Sequence, residues 1–524
     1  MSIPSILNDV IGPVMRGPSS SHSAAAVRIG KIARELMGGQ LNKVTVQYDI
    51  NGSLPTTWLS QGSDMGLSGG LLGFAADEER LIEYQSELQK AKLEVRCIAG
   101  DLGDSHPNTY NLTLQSGAEQ HTLVAISTGG GMIEVTKIDG LPMSFSGDCH
   151  GIVIWTKGVP SPLIEELERE DCQVYRAVSA EKSLVFATRL SIFDSALLQR
   201  ISQQPMVVSL RLISPVLPIL TTSKTWVPFT TAVELDRYAT KKGCTSLAEL
   251  ALHYEAARGG IEPAEVLEKT LYLVDVMEGS IRNGLAGTHY RDRILGFQSG
   301  KYAEKSRDNK LLNLGVLDLA ITYVTAIMEN KSALGVIVAA PTAGSCGGLP
   351  GAVMAFADTM NFDKQARARG LLAAGVVGLL IATKSTFAAE VCGCQAECGV
   401  SSGMIAAAMV SMMGGDYHRA LGAASMALQN SFGMVCDPVA NRVEVPCLGK
   451  NILAASNGLS CANLALAGFD PVVPFDEVVV AMDSVGRAIP HELRCTALGG
   501  LSLTPTSKKI EEHLRTDQAL GQKK

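Results

Sequence analysis

Gly370-Leu-Leu-Ala-Ala-Gly-Val-Val-Gly-Leu-Leu-Ile-Ala382 is an unbroken apolar run of small and aliphatic side chains. It exceeds the length of an ordinary strand, so it predicts a buried helix. Leu311 to Met328 and Ser402 to Met413 read the same way. From Ser246 onward every long apolar segment is helical in pattern, which predicts an all-α C-terminal domain over 246–524. The fully apolar part, Leu371 to Ala382, is shorter than a bilayer requires, so no membrane span is expected.

Three cysteines fall between these helical runs: Gly393-Cys394-Gln395-Ala396-Glu397, Val435-Cys436-Asp437-Pro438 and Val445-Pro446-Cys447. Glycine and proline keep these stretches out of regular helix. Three thiolates on loops at the ends of buried helices suit three corners of an iron–sulfur cluster, leaving one iron open as a Lewis acid. No paired C-x₂-C set points to zinc. Spacing alone leaves the alternative open, because the chain has 12 cysteines and a free buried cysteine is commonly a small core residue.

The chain has 524 residues, which implies two to four domains. Aromatic content is 5 %, so Ala, Val, Leu, Met and Gly must build the core. Mean hydropathy is +0.17. A formal charge of −7 argues against nucleic acid as a partner. Many cysteines with no secretory leader fit a reducing, cytoplasmic location.

Residues 1–144 mix strands with helices, an α/β domain. Lys43 to Tyr48, Leu93 to Cys97 and Thr122 to Ile126 predict strands, and Ala24 to Leu36 predicts a helix. The stretch 145–219 reads strand, helix, strand, strand, helix, strand, the ferredoxin-like βαββαβ order. The segment 220–245 reads as a linker, irregular from Leu220 to Lys242. The whole is a multidomain α+β protein.

Further residues join the site on their own chemistry. Ser19-Ser20-Ser21-His22 precedes a helix, either as an N-cap or as a loop that contacts substrate and supplies a base, His22. His106-Pro-Asn108-Thr109 is a turn by its residue types. Gly129-Gly-Gly131 is a tight turn, since no Lys-Ser/Thr follows as in a phosphate loop. Pro341-Thr-Ala-Gly-Ser345 precedes a helix, which makes Thr342, Gly344 and Ser345 candidates for a substrate carboxylate. Cys346 reads as packing.

The segment from about Ser246 to Ile510 resembles the alpha part of the iron–sulfur-dependent L-serine dehydratases. The words are Ala340-Pro-Thr-Ala-Gly-Ser345, Gly393-Cys-Gln-Ala-Glu397, Cys436-Asp-Pro-Val-Ala440, Val443-Glu-Val-Pro-Cys447, Lys450-Asn451 and Thr496-Ala-Leu-Gly-Gly500. Ser5 to about Ile219 resembles the beta part, through Ile11-Gly-Pro-Val-Met15, Gly17-Pro-Ser-Ser-Ser-His22, Asn51-Gly-Ser53, His106-Pro-Asn-Thr109 and Gly129-Gly-Gly131. The resemblance implies a fusion of the two parts with a 4Fe–4S cluster on Cys394, Cys436 and Cys447. It implies no pyridoxal phosphate, and β-elimination of L-serine to pyruvate and ammonia. It implies a site-lining loop at His106-Pro-Asn108-Thr109, the other reading being a turn alone. It implies an ACT-type regulatory domain with a small-molecule effector at 145–219, the other reading being a packing subdomain. A homo-oligomer, a dimer, is expected.

Two departures stand out. Where the family reads Lys-Gly-His-Gly-Thr-Asp, this chain has Leu59-Ser-Gln-Gly-Ser-Asp64, so Gln61 replaces the histidine while Asp64 is kept as a site residue. Where the family reads Arg-Glu-Thr, this chain has Arg494-Cys495-Thr496, which makes Cys495 a candidate extra ligand. Cysteine desulfidation and a non-catalytic iron–sulfur sensor remain as alternatives at this stage.

Overall fold

Helix Cys398–Met412 is buried along nearly its whole length and forms the axis of the C-terminal part. Helices Lys364–Ala382, Tyr417–Gln429 and Cys447–Leu466 pack around it. An all-round apolar helix has no solvent face, so its neighbours must close on every side. Helix Lys364–Ala382 has the length and composition to cross a membrane, and here it is core. The computed structural model describes residues 3–157, 160–178, 183–222, 225–290 and 292–521. These form a multidomain α+β protein whose C-terminal region is helical.

The helical region is not wholly self-contained. The N-terminal turn Ile6–Val10 is inserted into it, and a two-residue strand, Ile337–Val338, pairs antiparallel with Val14–Met15. Gly375 and Gly378 make room for the insertion. A Cβ at Gly378 would meet Val10 Cγ1 at 2.2 Å, and one at Gly375 would meet Ile6 Cγ2 at 2.4 Å. Glu255, fully buried on helix Leu247–Gly259, secures the turn. It accepts from the Ser5 hydroxyl, from Ile6 N at 2.8 Å and from Leu7 N at 3.2 Å. Glu255→Ala is expected to lower stability by about 3 kcal/mol, the upper range for hydrogen bonds to a charged group. Denaturant unfolding checks it, and a loss below ~1 kcal/mol would contradict the assignment.

The N-terminal part holds a six-stranded sheet in the order Glu94–Gly100, Lys43–Asp49, Thr109–Ser116, Glu119–Gly129, Met132–Ile138, Leu141–Phe145. Only the first pair is parallel. Helices Ala25–Leu36 and Ser63–Leu72 pack in close contact. A Cβ at Gly70 would lie 2.2 Å from the Val27 carbonyl oxygen, so only glycine permits this approach.

Residues His150–Ile213 form a four-stranded antiparallel sheet in the order Val207–Ile213, His150–Thr156, Ser183–Arg189, Gln173–Val178. Alternation along the strands divides two cores. Ile152, Ile154, Val185 and Ala187 pack on helices Ser161–Arg169 and Ser195–Ser202. Val153, Trp155, Leu184 and Phe186 pack toward the larger sheet.

The segment read as irregular contains helix Ala232–Lys242. The Thr231 side chain caps it by accepting from Glu234 N at 3.1 Å, and Glu234 accepts from Thr230 N at 2.7 Å. Gly243, at φ +64°, ends it. Leu235 and Ala239 are its only buried side chains, too sparse an apolar stripe to be read as periodicity.

Candidate metal centre and reaction site

Each cysteine is delivered by a local device. Gly393 takes φ +68° immediately before the short turn Cys394–Ala396. A side chain there would meet the Met434 carbonyl oxygen at 2.6 Å. Cys436 is extended and tied to the C-terminal loop: its N–H donates to Leu493 O at 2.8 Å, and its carbonyl accepts from Cys495 N at 2.8 Å. Cys447 is the first residue of helix Cys447–Leu466, following Pro446, rather than a loop residue.

Cys394 Sγ, Cys436 Sγ and a Glu397 carboxylate oxygen lie within 4.8 Å of one another. Ala389, Cys394, Cys436 and Cys495 share one buried cluster. Contacts with Cys394 and Cys495, together with burial, push the Cys436 thiol well up. Burial and the nearby Cys394 do the same to Cys447 and to Cys398. Metal binding here must displace protons. Cys392 turns away, with Sγ 3.9 Å from Asp483. Cys346 lies in the core, 3.9 Å from Met328 Sδ.

Two lysines offset the negative charge of a thiolate set. Lys450 donates to Val435 O at 2.6 Å and Asp437 Oδ1 at 3.3 Å. Burial opposes its charge, but Cys394, Cys436 and Cys447 more than compensate and hold its pKa up. Lys331, fully buried at the end of helix Val316–Ser332, donates to the Val443 carbonyl and acts electrostatically on Cys447 and Glu397. The sequence reading missed Lys331, because a lysine in a helix's last turn ordinarily reads as a solvated C-terminal charge. Buried thiols beside matched ammonium groups have the donor chemistry of an iron–sulfur site.

The N-terminal loop reaches this centre. Ser20 Oγ accepts from Ala343 N at 3.1 Å, so the serine turn touches the 341–345 loop. His22 Nδ1 is 3.0 Å from Ser19 Oγ, and its Nε2 is 3.5 Å from Ser53 Oγ. Ser21 is buried in the same turn. Ser53 in turn donates to Asn108 Oδ1, and the Asn108 side chain also hydrogen-bonds Glu390. Burial pushes His22 down to about 3, so its imidazole is neutral at physiological pH. His106 shapes the turn instead, with Nδ1 accepting from Asn108 N at 3.2 Å.

Thr342 donates to Glu397 Oε1 at 2.5 Å, and Ser345 Oγ donates to Ala340 O at 3.1 Å. A Cβ at Gly344 would lie 2.6 Å from Glu397 Oε1. The helix amides expected to be free are engaged: Asn451 Oδ1 accepts from Gly347 N at 3.1 Å and Gly348 N at 2.8 Å. Asn451 Nδ2 is 3.6 Å from Cys398 Sγ. Asp64 hydrogen-bonds Tyr84 OH and faces a separate cavity.

Glu390, on the short helix Ala389–Cys392, is a site residue that the sequence reading did not single out. Burial pushes its carboxyl up to about 7, Glu397 adds to the rise, and Asn108 lies beside it. Gln61 Nε2 lies 3.3 Å from Asn441 Oδ1 and 3.7 Å from Cys495 Sγ. Gln61 and Cys495, two of the residues at which the chain departs from the resemblance, therefore meet one another at the edge of the thiol cluster.

The family model described as serine dehydratase alpha chain matches residues 216–502. The L-serine dehydratase alpha chain of Peptoniphilus asaccharolyticus is 38 % identical over 283 residues, covering 53 % of this chain and 96 % of that one. The probable L-serine dehydratase alpha chain of Bacillus subtilis is 37 % identical over 250 residues, 48 % of this chain and 83 % of that one. The L-serine dehydratase of Streptomyces coelicolor is 25 % identical over 500 residues, 93 % and 96 % of the two chains. This chain belongs to the serine dehydratase alpha chain family. The long alignment runs through both regions, so beta and alpha parts are fused here on one polypeptide.

Proposed function

We propose that this chain is an iron–sulfur-dependent L-serine ammonia-lyase that converts L-serine to pyruvate and ammonia. The observation that carries this reading is the meeting of Cys394, Cys436 and Glu397 within 4.8 Å, in a buried centre that the N-terminal serine loop touches. Cys394, Cys436 and Cys447 would hold a 4Fe–4S cluster, with Cys495 beside Cys436 as an additional thiol. When bound, the cluster supplies a Lewis acid for the departing β-hydroxyl. No pyridoxal phosphate is needed.

The chain's own residues then have defined tasks. Ser19, Ser20, Ser21 and the 342–345 loop enclose the substrate, and the Asn108 amide, which it shares with Glu390, is a donor beside it. His106 and Asn108 form the turn that holds that donor in place. Glu390 accepts the Cα proton. We assign this role to Glu390 rather than His22, because an imidazole held down to about 3 is a weak base, whereas a carboxylate near 7 matches working pH. His22 positions Ser53 and Asn108.

The four-stranded sheet of His150–Ile213, with both helices on one face, supports an ACT-type ferredoxin-like domain that takes a small-molecule effector. A cytoplasmic homodimer completes the proposal.

Anaerobically prepared protein is expected to release pyruvate from L-serine faster than from L-cysteine, and faster than it releases 2-oxobutanoate from L-threonine. Faster sulfide release from L-cysteine would make the chain a desulfidase. An iron-loaded protein inert toward all three would make it a sensor.

A further inference from the structure

Between Cys436 and Cys447 the chain makes a turn in which two successive non-glycine residues take left-handed backbone angles, Ala440 at φ +48° and Asn441 at φ +53°. Asparagine tolerates this region and alanine resists it, so outside bonds must hold the turn. The C-terminal segment supplies them. Ser507 Oγ accepts from Ala440 N at 2.9 Å, Ser502 Oγ donates to Pro438 O at 2.8 Å, and Leu501 N donates to Asp437 Oδ2 at 2.9 Å.

The turn sends one side chain across the boundary between the alpha and beta parts. Asn441 is 4 % exposed, and both polar atoms of its amide are used on the 56–61 segment. Nδ2 donates to Thr56 O at 2.9 Å and to Ser60 Oγ at 3.4 Å, and Oδ1 accepts from Gln61 Nε2 at 3.3 Å. Gln61, itself buried, is joined in turn to the serine loop, because its carbonyl accepts from Ser23 Oγ at 3.1 Å. Ser23 directly follows His22. One chain of contacts therefore runs from the cysteine-bearing segment through Asn441 and Gln61 to the turn that encloses the substrate.

We propose that Asn441 is a positioning residue for the reaction: with Gln61 as its partner, it sets the serine loop of the beta part in register with the cysteines of the alpha part. The proposal rests on the serine ammonia-lyase reading above. It gives Gln61 a task that an amide can perform, donating to a fixed acceptor with no change of protonation. The strained backbone is what makes the pairing possible, since it is the left-handed turn that carries the Asn441 amide to Thr56 and Gln61.

Asn441→Gly tests this, because glycine keeps the left-handed backbone and removes only the side-chain bonds. In anaerobically prepared full-length protein this variant is expected to keep its iron and most of its kcat, while KM for L-serine rises about tenfold or more, the scale of one or two lost hydrogen bonds. Amide hydrogen exchange over residues 54–64 should quicken about tenfold or more, while the sheet of His150–Ile213 exchanges as in the wild type and so reports an intact fold. Gln61→Ala should raise KM in the same way. The double variant should fall short of the product of the two single losses, because the contact they share is lost only once. Wild-type KM and exchange in Asn441→Gly would overturn the proposal. Loss of iron in that variant would also overturn it, since Asn441 would then be a prop of the cysteine segment alone, and so would single losses that multiply in full. Wild-type protein that holds iron but leaves L-serine unchanged would overturn the ammonia-lyase reading and this proposal with it.

Discussion

Cys394→Ser, Cys436→Ser and Cys447→Ser, made singly, are each expected to lose iron and turnover together. Serine keeps the volume but removes the soft ligand that an iron–sulfur cluster requires. Metal polarisation of a leaving oxygen supplies several kcal/mol, so turnover should fall ~10³-fold or more. The internal controls are Cys392→Ser and Cys346→Ser, which should keep full iron. Cys392 points to Asp483 and Cys346 to Met328, both away from the centre. Cys495 decides the fourth position. Backbone pairing holds it beside Cys436, so Cys495→Ser tests whether its thiol carries iron. If Cys495→Glu and Cys495→Ser both keep iron, three cysteines suffice. Iron content by chemical analysis and the cluster absorbance check all of these variants. A single mutant among the three that kept full iron and activity would remove that ligand from the assignment.

The meeting of Cys394 and Cys436 was legible only in part: a cysteine next to glycine or proline, between apolar runs, can be read within ten residues, but spacing alone left a core role open and the resemblance supplied the ligand set. The long helices were legible because their signals are local. What escaped reading depends on contacts between distant segments. Cys495 meets Cys436 through a backbone pairing that no periodicity announces. The N-terminal Ile6–Val10 turn belongs to the helical core only because Gly375, Gly378 and Glu255 receive it. The strands Thr109–Ser116, Met132–Ile138 and Leu141–Phe145 were not singled out, although the first alternates buried and half-buried side chains. The helix Ala232–Lys242 did carry a sequence signal in Thr231-Ala-Val-Glu234, the capping-box spacing, but its weak apolar stripe masked it. Lys331 and Glu390 look like ordinary surface charges in sequence. Enclosure by distant segments gives them chemical meaning, and that enclosure is a property of the assembled fold.

Glu390→Gln is expected to lower turnover by ~10²–10⁴-fold, the range for removing a general base. The argument rests on position as well as on proton affinity. Glu390 lies beside Asn108, which is linked through Ser53 to His22, and it senses Glu397, whose Oε2 is 3.8 Å from Cys394 Sγ. It therefore sits between the substrate-enclosing loop and the thiols. Burial raises its carboxyl from 4.5 to about 7, so the proton-accepting form is lost as pH falls through 7. The wild-type rate should rise with pH to a plateau above about 7, and that limb should vanish from the residual activity of Glu390→Gln. Stability should move the other way. A carboxyl whose folded pKa exceeds its unfolded value favours the folded state at low pH, and that contribution is lost as pH rises from about 4.5 through about 7. Glu390→Gln cannot ionise, so at pH 8 it should melt above the wild type while turning over more slowly. Joint gain of stability and loss of rate is the signature of a buried base, because a purely structural carboxylate would lose stability on neutralisation. A Glu390→Gln protein with a wild-type rate and an unchanged pH profile would return the base to His22, and His22→Ala would then show the larger loss.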